Sequence, residues 1–295
     1  LGLKLSAQMQ GHAAMLLFSF VVAGSFSLGG SVANDIAPTA FNAIRFWIAA
    51  IILGAIAIYQ GNAGREHFAK PWRYLGLGSM YVAYFVLMFV GLKTAPPVNA
   101  SAVFTLTPIL AAIFGIFIVQ QVVSRRIAIA LAFGGAGAIW VIFRGDIDAL
   151  MAFQIGKGEA IYFIGVVSHA FYTPFARRWN FGTPVITYTF GTLLTSAVLI
   201  TIYAWNDLMA TDWAALRPLV WVTLIYIAVF ATSLSSLLLL FAAMRLPSSK
   251  VMAYTYLVPS WVIVWEMVRH GYLPPVIVLA GVGLTLLALL LLLRE

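Results

Sequence analysis

Apolar residues run along this chain in blocks too long for strands and too evenly apolar for helices with one wet face. Ten such blocks occur, at about 11–33, 38–59, 73–93, 97–119, 126–144, 158–177, 184–204, 218–243, 249–269 and 274–293. Each reaches the roughly 17–25 residues that a tilted helix needs to cross a bilayer. Polar residues gather in short turns between the blocks. The pattern predicts an all-α integral membrane protein with ten transmembrane helices and no room for a soluble domain. The first block lacks the short apolar core and small-residue cleavage site of a leader, so no cleaved signal peptide is expected.

The pattern is also written twice. Residues 91–108 read GLKTAPPVNASAVFTLTP and residues 242–259 read AAMRLPSSKVMAYTYLVP. Both are a helix end, a basic and proline-bearing turn, and an apolar run that carries a proline. Pro108 and Pro259 stand 151 residues apart, and Pro38 and Pro184 open their runs 146 residues apart. The break falls near 144–156, which divides the chain into a first five-helix repeat at 1–150 and a second at 151–295. Five is odd, so the second repeat enters the bilayer from the opposite face. Inverted repeats of this size are a mark of transporters, with a site between the halves near the midplane.

Composition fits that reading. Hydrophobic residues make up 63% of the 295, charged residues 9%, and the mean hydropathy is +1.00; a soluble domain carries about 25% charged residues. A net charge of +8 could suggest nucleic acid, but the basic residues sit in the interhelix turns, where they set orientation. Lys4, Arg65, Lys70, Arg73, Arg125, Arg126, Arg177, Arg178, Arg245, Lys250 and Arg294 fall on the side of the termini. Lys93, Arg144, Lys157, Arg217 and Arg269 fall on the other, together with Asp35, Asp146, Asp148, Glu159, Asp207 and Asp212. The excess places both termini in the cytoplasm of a bacterial inner-membrane protein. Cysteine is absent, so no disulfide or thiolate metal site is possible.

Several elements resemble the EamA family of the drug/metabolite transporter superfamily. They are Arg45-Phe-Trp-Ile-Ala-Ala in the second span, GLKTAPPVNASAVFTLTP, the stretch Gly134-Gly-Ala-Gly-Ala138, and, in the second half, Pro259 and Gly281-Val-Gly283. The likeness covers essentially the whole chain, and within the family it resembles bacterial exporters of aromatic amino acids. The resemblance implies alternating access around a cavity formed by spans 1, 3, 4, 6, 8 and 9, with spans 5 and 10 bracing the outside. One position departs: Gln121 stands where the family usually carries an acid beside a glycine, and its repeat counterpart is near Tyr272.

Candidate site residues follow from position in the spans. Pro108 and Pro259 interrupt helices and free the carbonyls of Phe104 and Thr255, which either bind an ammonium group or merely accompany a kink or hinge. Tyr81, Tyr84 and Met88 share one helix face, as do Tyr254, Trp261 and Trp265; rings on such faces either stack on an aromatic cargo or fill helix contacts. Asn99, Ser101 and Thr105 lead into Pro108, and Ser235 lies in the run Thr232-Ser-Leu-Ser-Ser236. These short polar groups either hold a carboxylate or pack helices. His169, with Tyr172 nearby, sits mid-span, as a ligand contact or as a neutral packing group. Arg45, about 10 Å into span 2 at 1.5 Å per residue, is a structural anchor or a carboxylate anchor.

What is missing narrows the classes. No Asp or Glu lies in the middle third of a span, so a carboxylate proton relay is hard to build and facilitated diffusion fits better, unless His169 carries the proton. No GxxxxGK[ST] loop is present, which excludes ATP as the engine. Scattered His12, His67, His169 and His270 make no catalytic or metal constellation, so neither an enzyme nor a cofactor is expected. The expected protein is therefore a monomeric exporter, surrounded by lipid, of amino acids, aromatic ones especially. A sugar, nucleoside or drug-like metabolite remains as the alternative cargo, with a membrane enzyme or channel more remote.

Overall fold

Proline opens four of the long helices, α2, α3, α4 and α8, because a residue with no N–H and a fixed φ costs nothing in the first turn. A computed structural model describes residues 6–62, 64–243, 245–246, 248–271 and 273–293. The expected roles of Lys4, Tyr272 and Arg294, and Met244 and Pro247 of the repeated motif, lie outside the described residues. The ten long helical segments are α1 Ala7–Val32, α2 Pro38–Tyr59, α3 Pro71–Leu92, α4 Pro97–Val119, α5 Arg125–Ile142, α6 Lys157–Trp179, α7 Val185–Tyr203, α8 running from Pro218 to Ala243, α9 from Ser248 to His270, and α10 Val276–Leu293. Short helices Ile147–Met151 and Trp205–Ala210 lie in two of the links.

Among the described residues, nine of these segments are long and apolar enough to cross a membrane. The remaining one, α6, has the length at 23 residues but not the apolarity. It carries Glu159, Tyr162, Ser168, His169, Tyr172 and Thr173, and it packs against α3 and α4, with Phe163 and Ile164 on its exposed side. Its polarity is thus turned inward, as a helix in lipid requires.

Exchanging the two halves maps the packing onto itself. α3 packs on α6 as α8 packs on α1; α4 packs on α6 as α9 packs on α1; α3 meets α7 as α8 meets α2. The pairs α2–α7, α4–α9 and α5–α10 map onto themselves. Consecutive helices joined by short turns run antiparallel, so five per half reverse the second set, as the doubled sequence pattern implies. The turns divide between a face that bears the described chain ends and an opposite face.

Two helices are irregular where the sequence flags a proline, and a third at a polar run that it does not flag as a break. α4 breaks between Pro97–Phe104 and Thr107–Val119, and α9 passes through a tight turn at Tyr254–Leu257 before Val258–His270. The carbonyls that Pro108 and Pro259 free each accept one hydrogen bond. Thr107 Oγ1 donates to the Phe104 carbonyl at 2.6 Å, and the Val258 N–H closes on the carbonyl of Thr255. In α8 the stretch Val229–Leu234 is wound as a π-helix.

α4 and α9 also stop alike, on a left-handed residue: Gln120 at φ 54° and Gly271 at φ 64°, again 151 positions apart. Glycine takes that conformation without penalty, whereas a Cβ crowds the following carbonyl. Gln120→Gly is therefore expected to stabilise the protein by about 0.5–1 kcal/mol, net of the freer unfolded chain. A higher melting temperature in detergent would read this out, and an unchanged or lower one would contradict it.

Candidate functional site

The polar side of α3 repeats at Tyr81, Tyr84 and Phe85, spacings that stack residues on one helix face. α6 answers with Tyr162, His169 and Tyr172. The two helices approach closely because Gly165 faces the backbone of Tyr84, where a Cβ would lie 3.1 Å from its carbonyl oxygen. Rings consequently interlock across the pair. Tyr84 lies 4.3 Å from His169, Tyr81 4.6 Å from Tyr172, and Tyr84 5.9 Å from Tyr162, by ring centroids. The hydroxyls of Tyr84 and Tyr162 share a 3.0 Å hydrogen bond. Phe104 of α4 and Phe26 of α1 close the ring on the side of the opposite face, 6.0 Å from His169 and from Tyr162 respectively.

Arg45 enters this chamber from α2 and is fully buried. Its Nε donates to Thr232 Oγ1 at 2.7 Å and its Nη1 to Asn42 Oδ1, one turn back, at 3.2 Å. The guanidinium carbon sits 3.8 Å from the centroid of the Phe85 ring, a cation–π arrangement. The π-helical turn of α8 presents Thr232: its hydroxyl and that of Ser233 bond the carbonyls five residues back, Ile227 and Ala228. Such turns mark functional stretches of helices. Two polar atoms of the chamber have no hydrogen-bond partner: Arg45 Nη2 and His169 Nδ1. A buried polar atom left bare costs about 1–3 kcal/mol, more when charged.

The ring cluster is tightly closed toward one face and less fully buried toward the other. Toward the opposite face, Arg217 pairs with Asp35, Thr39 with Asp207, and Ser27 donates to Glu266 at 2.5 Å. There the outer halves of α4 and α9 pack together. Toward the face of the chain ends, Tyr81, His169, Tyr172, Thr173, Ser236 and Met252 keep partial exposure. A separate cavity of about 420 Å³ lies on this side, lined by Pro108, Gln121, Thr173, Pro174, Arg177 and Met252. It contains none of the chamber's rings.

Of the residues expected from sequence, the fold gathers Arg45, Tyr81, Tyr84, His169 and Tyr172. The others go elsewhere. Asn99 donates to the Ile142 carbonyl and to Glu159 Oε1, both at 3.2 Å, and so ties α4 to α5 and α6. Ser101, Thr105 and Ser235 spend their hydroxyls on carbonyls of their own helices, at Val98, Ala102 and Ala231. That is the packing use of such hydroxyls. Tyr254 bonds His12 at 2.9 Å, Trp261 bonds Ser19, and Trp265 bonds the Phe20 carbonyl, so this stripe of α9 addresses α1. Sequence reasoning missed Asn42, Phe85, Phe104, Tyr162 and Phe26. Two of these were within reach: Tyr162 precedes His169 by two helical turns, and Phe85 follows Tyr81 by one.

Comparisons with known proteins agree with this architecture. The sequence pattern of the EamA-like transporter family matches residues 9–143 and again 156–294. The chain is 27% identical over 278 residues to the "Uncharacterized transporter YyaM" of Bacillus subtilis (strain 168), covering 93% of this chain and 90% of that protein. A solved structure titled "Crystal structure of protein" shares the fold, with a TM-score of 0.71 at 18% identity over 97% of this chain and 95% of the other. With two family matches that together span nearly all of the sequence, the chain belongs to the EamA-like transporter family.

Proposed function

We propose that this membrane transporter exports small aromatic solutes, aromatic amino acids among them, across the bacterial cytoplasmic membrane by alternating access. The observation that supports this reading best is the chamber itself. Six rings (Phe26, Tyr81, Tyr84, Phe104, Tyr162 and Tyr172) surround His169 and a guanidinium, and two polar atoms there lack partners. Rings favour a flat cargo through offset and edge-on contacts, and the bare Nη2 donor of Arg45 favours a carboxylate. The excess of Lys and Arg at the face of the chain ends argues that both termini are cytoplasmic, which makes the less buried side of the cluster the loading side. Pro108 and Pro259, at the breaks of α4 and α9, are the hinges on which the inner halves swing.

The carrier works as a monomer, and its cargo moves down its own gradient. The sequence carries no GxxxxGK[ST] loop for ATP and no Asp or Glu in the middle third of a span to relay a proton. Counterflow into liposomes of the purified protein tests this, with labelled phenylalanine, tryptophan and a nucleoside, with and without a pH gradient. Aromatic amino acids are expected to exchange at least tenfold faster than through empty liposomes, and a pH gradient is expected to change the rate less than twofold. Exchange of the nucleoside alone would overturn the cargo. Tags after residue 150 and at the carboxyl end are expected in different compartments; a shared compartment would overturn the inverted topology.

A further inference from the structure

We propose that the chamber selects its cargo by net negative charge, taking an aromatic carboxylate without an ammonium group ahead of the corresponding zwitterion. This deepens the proposed transport function and rests on it. Arg45 is fully buried and both of its bonded donors are met by neutral acceptors, the hydroxyl of Thr232 and the amide oxygen of Asn42. Nη2 is met by nothing. The titratable groups that feel its charge are Tyr84, Tyr81 and Tyr162, and no carboxylate is among them. Among the described residues, Arg45 makes no ion pair. A guanidinium held this way, flat on the Phe85 ring, is one counterion short, and its planar fork suits a carboxylate.

The zwitterion's other end meets neutral acceptors and ring faces but no anion among the described residues. An ammonium group at this depth needs an anion or several acceptors. The chamber offers phenol hydroxyls, two of them already bonded to each other, and the imidazole of His169, which is neutral or cationic but never negative. The two buried acids of the membrane-spanning helices stand toward the opposite face and are engaged there: Glu159 accepts from Asn99, and Glu266 from Ser27. Glu159 lies one turn from Tyr162, so it is the group to exclude by experiment. An anionic cargo would also account for export without a proton relay. The inside-negative potential drives an anion outward, about tenfold in accumulation for each 59 mV.

The test uses the purified full chain in liposomes with a potassium–valinomycin potential and three labelled probes: phenyllactate, phenylalanine and phenethylamine. Phenyllactate is expected to move at least tenfold faster than phenylalanine, and phenethylamine no faster than through empty liposomes. Steady accumulation of phenyllactate should follow the potential, and that of phenylalanine should not. Arg45→Gln should bring the two rates within about threefold of each other, and Arg45→Lys should restore part of the preference. The wild-type comparison stands alone, so a variant that fails to fold leaves the proposal exposed to refutation. Equal rates for phenylalanine and phenyllactate, a preference that survives Arg45→Gln, or selective loss of phenylalanine transport in Glu159→Gln would each overturn it while leaving transport of aromatic solutes standing. If none of the probes moves faster than through empty liposomes, the transport reading falls first and this inference with it.

Discussion

Tyr84→Ala is expected to slow exchange of aromatic solutes at least tenfold, whereas Tyr84→Phe should stay within about threefold of the parent. The ring is almost fully buried and is the hub of the chamber, 4.3 Å from His169, 4.5 Å from Phe85, 5.9 Å from Tyr162 and 6.2 Å from Phe104. Each aromatic pair contributes about 0.5–1.5 kcal/mol beyond area, so removing the ring loosens several walls at once. A tenfold loss corresponds to about 1.4 kcal/mol, well inside what two such contacts supply. Phenylalanine keeps the ring and loses only the 3.0 Å bond to Tyr162, worth about 0.5–1.5 kcal/mol. Counterflow rates with phenylalanine and phenyllactate, normalised to folded protein, separate the outcomes. Unchanged rates and selectivity in both Tyr84→Ala and His169→Ala would show that the cargo passes elsewhere.

Gly137→Leu is expected to abolish folded protein, and Gly137→Ala to destabilise it by about 1–3 kcal/mol, the usual cost of overpacking. α5 and α10 touch backbone to backbone at Gly137 and Gly281. A Cβ on Gly137 would lie 2.5 Å from the Gly281 carbonyl oxygen, and one on Gly281 would lie 2.7 Å from that of Gly137. Neither obstacle is a flexible side chain that could turn aside. In lipid, where no hydrophobic force drives helices together, this close van der Waals fit is much of what holds the pair. Gly283 provides the control, since a Cβ there meets nothing within 4 Å. Gly283→Ala should melt with the parent, and Gly137→Ala several degrees lower. Equal melting of the two alanine variants would refute the close contact. The chamber draws nothing from these two helices, so transport per folded molecule should be unaffected by Gly137→Ala.

Much of this architecture is legible in the sequence, and the exceptions have physical causes. Arg45, Tyr81, Tyr84, His169 and Tyr172 were legible because polar or polar-tipped groups at membrane depth are expensive and so face the interior. Asn99, Ser101, Thr105 and Ser235 lie apart from that group for a different reason. A short hydroxyl or amide satisfies itself on its own or a neighbouring helix and needs no ligand. Phe104 and Phe26 carried no signal, since an apolar ring looks the same in sequence against lipid or in a chamber. Lining by such rings depends on which helices meet.

The sequence by itself determined the helices, their breaks and the doubled plan. Membrane thickness fixes span length, proline removes a donor wherever it stands, and a repeated pattern is visible without contacts. Only the tertiary structure decided which side chains share a space and which polar atoms are left bare. Those depend on distances between residues as far apart in the chain as Arg45 and Thr232, and no local rule encodes them.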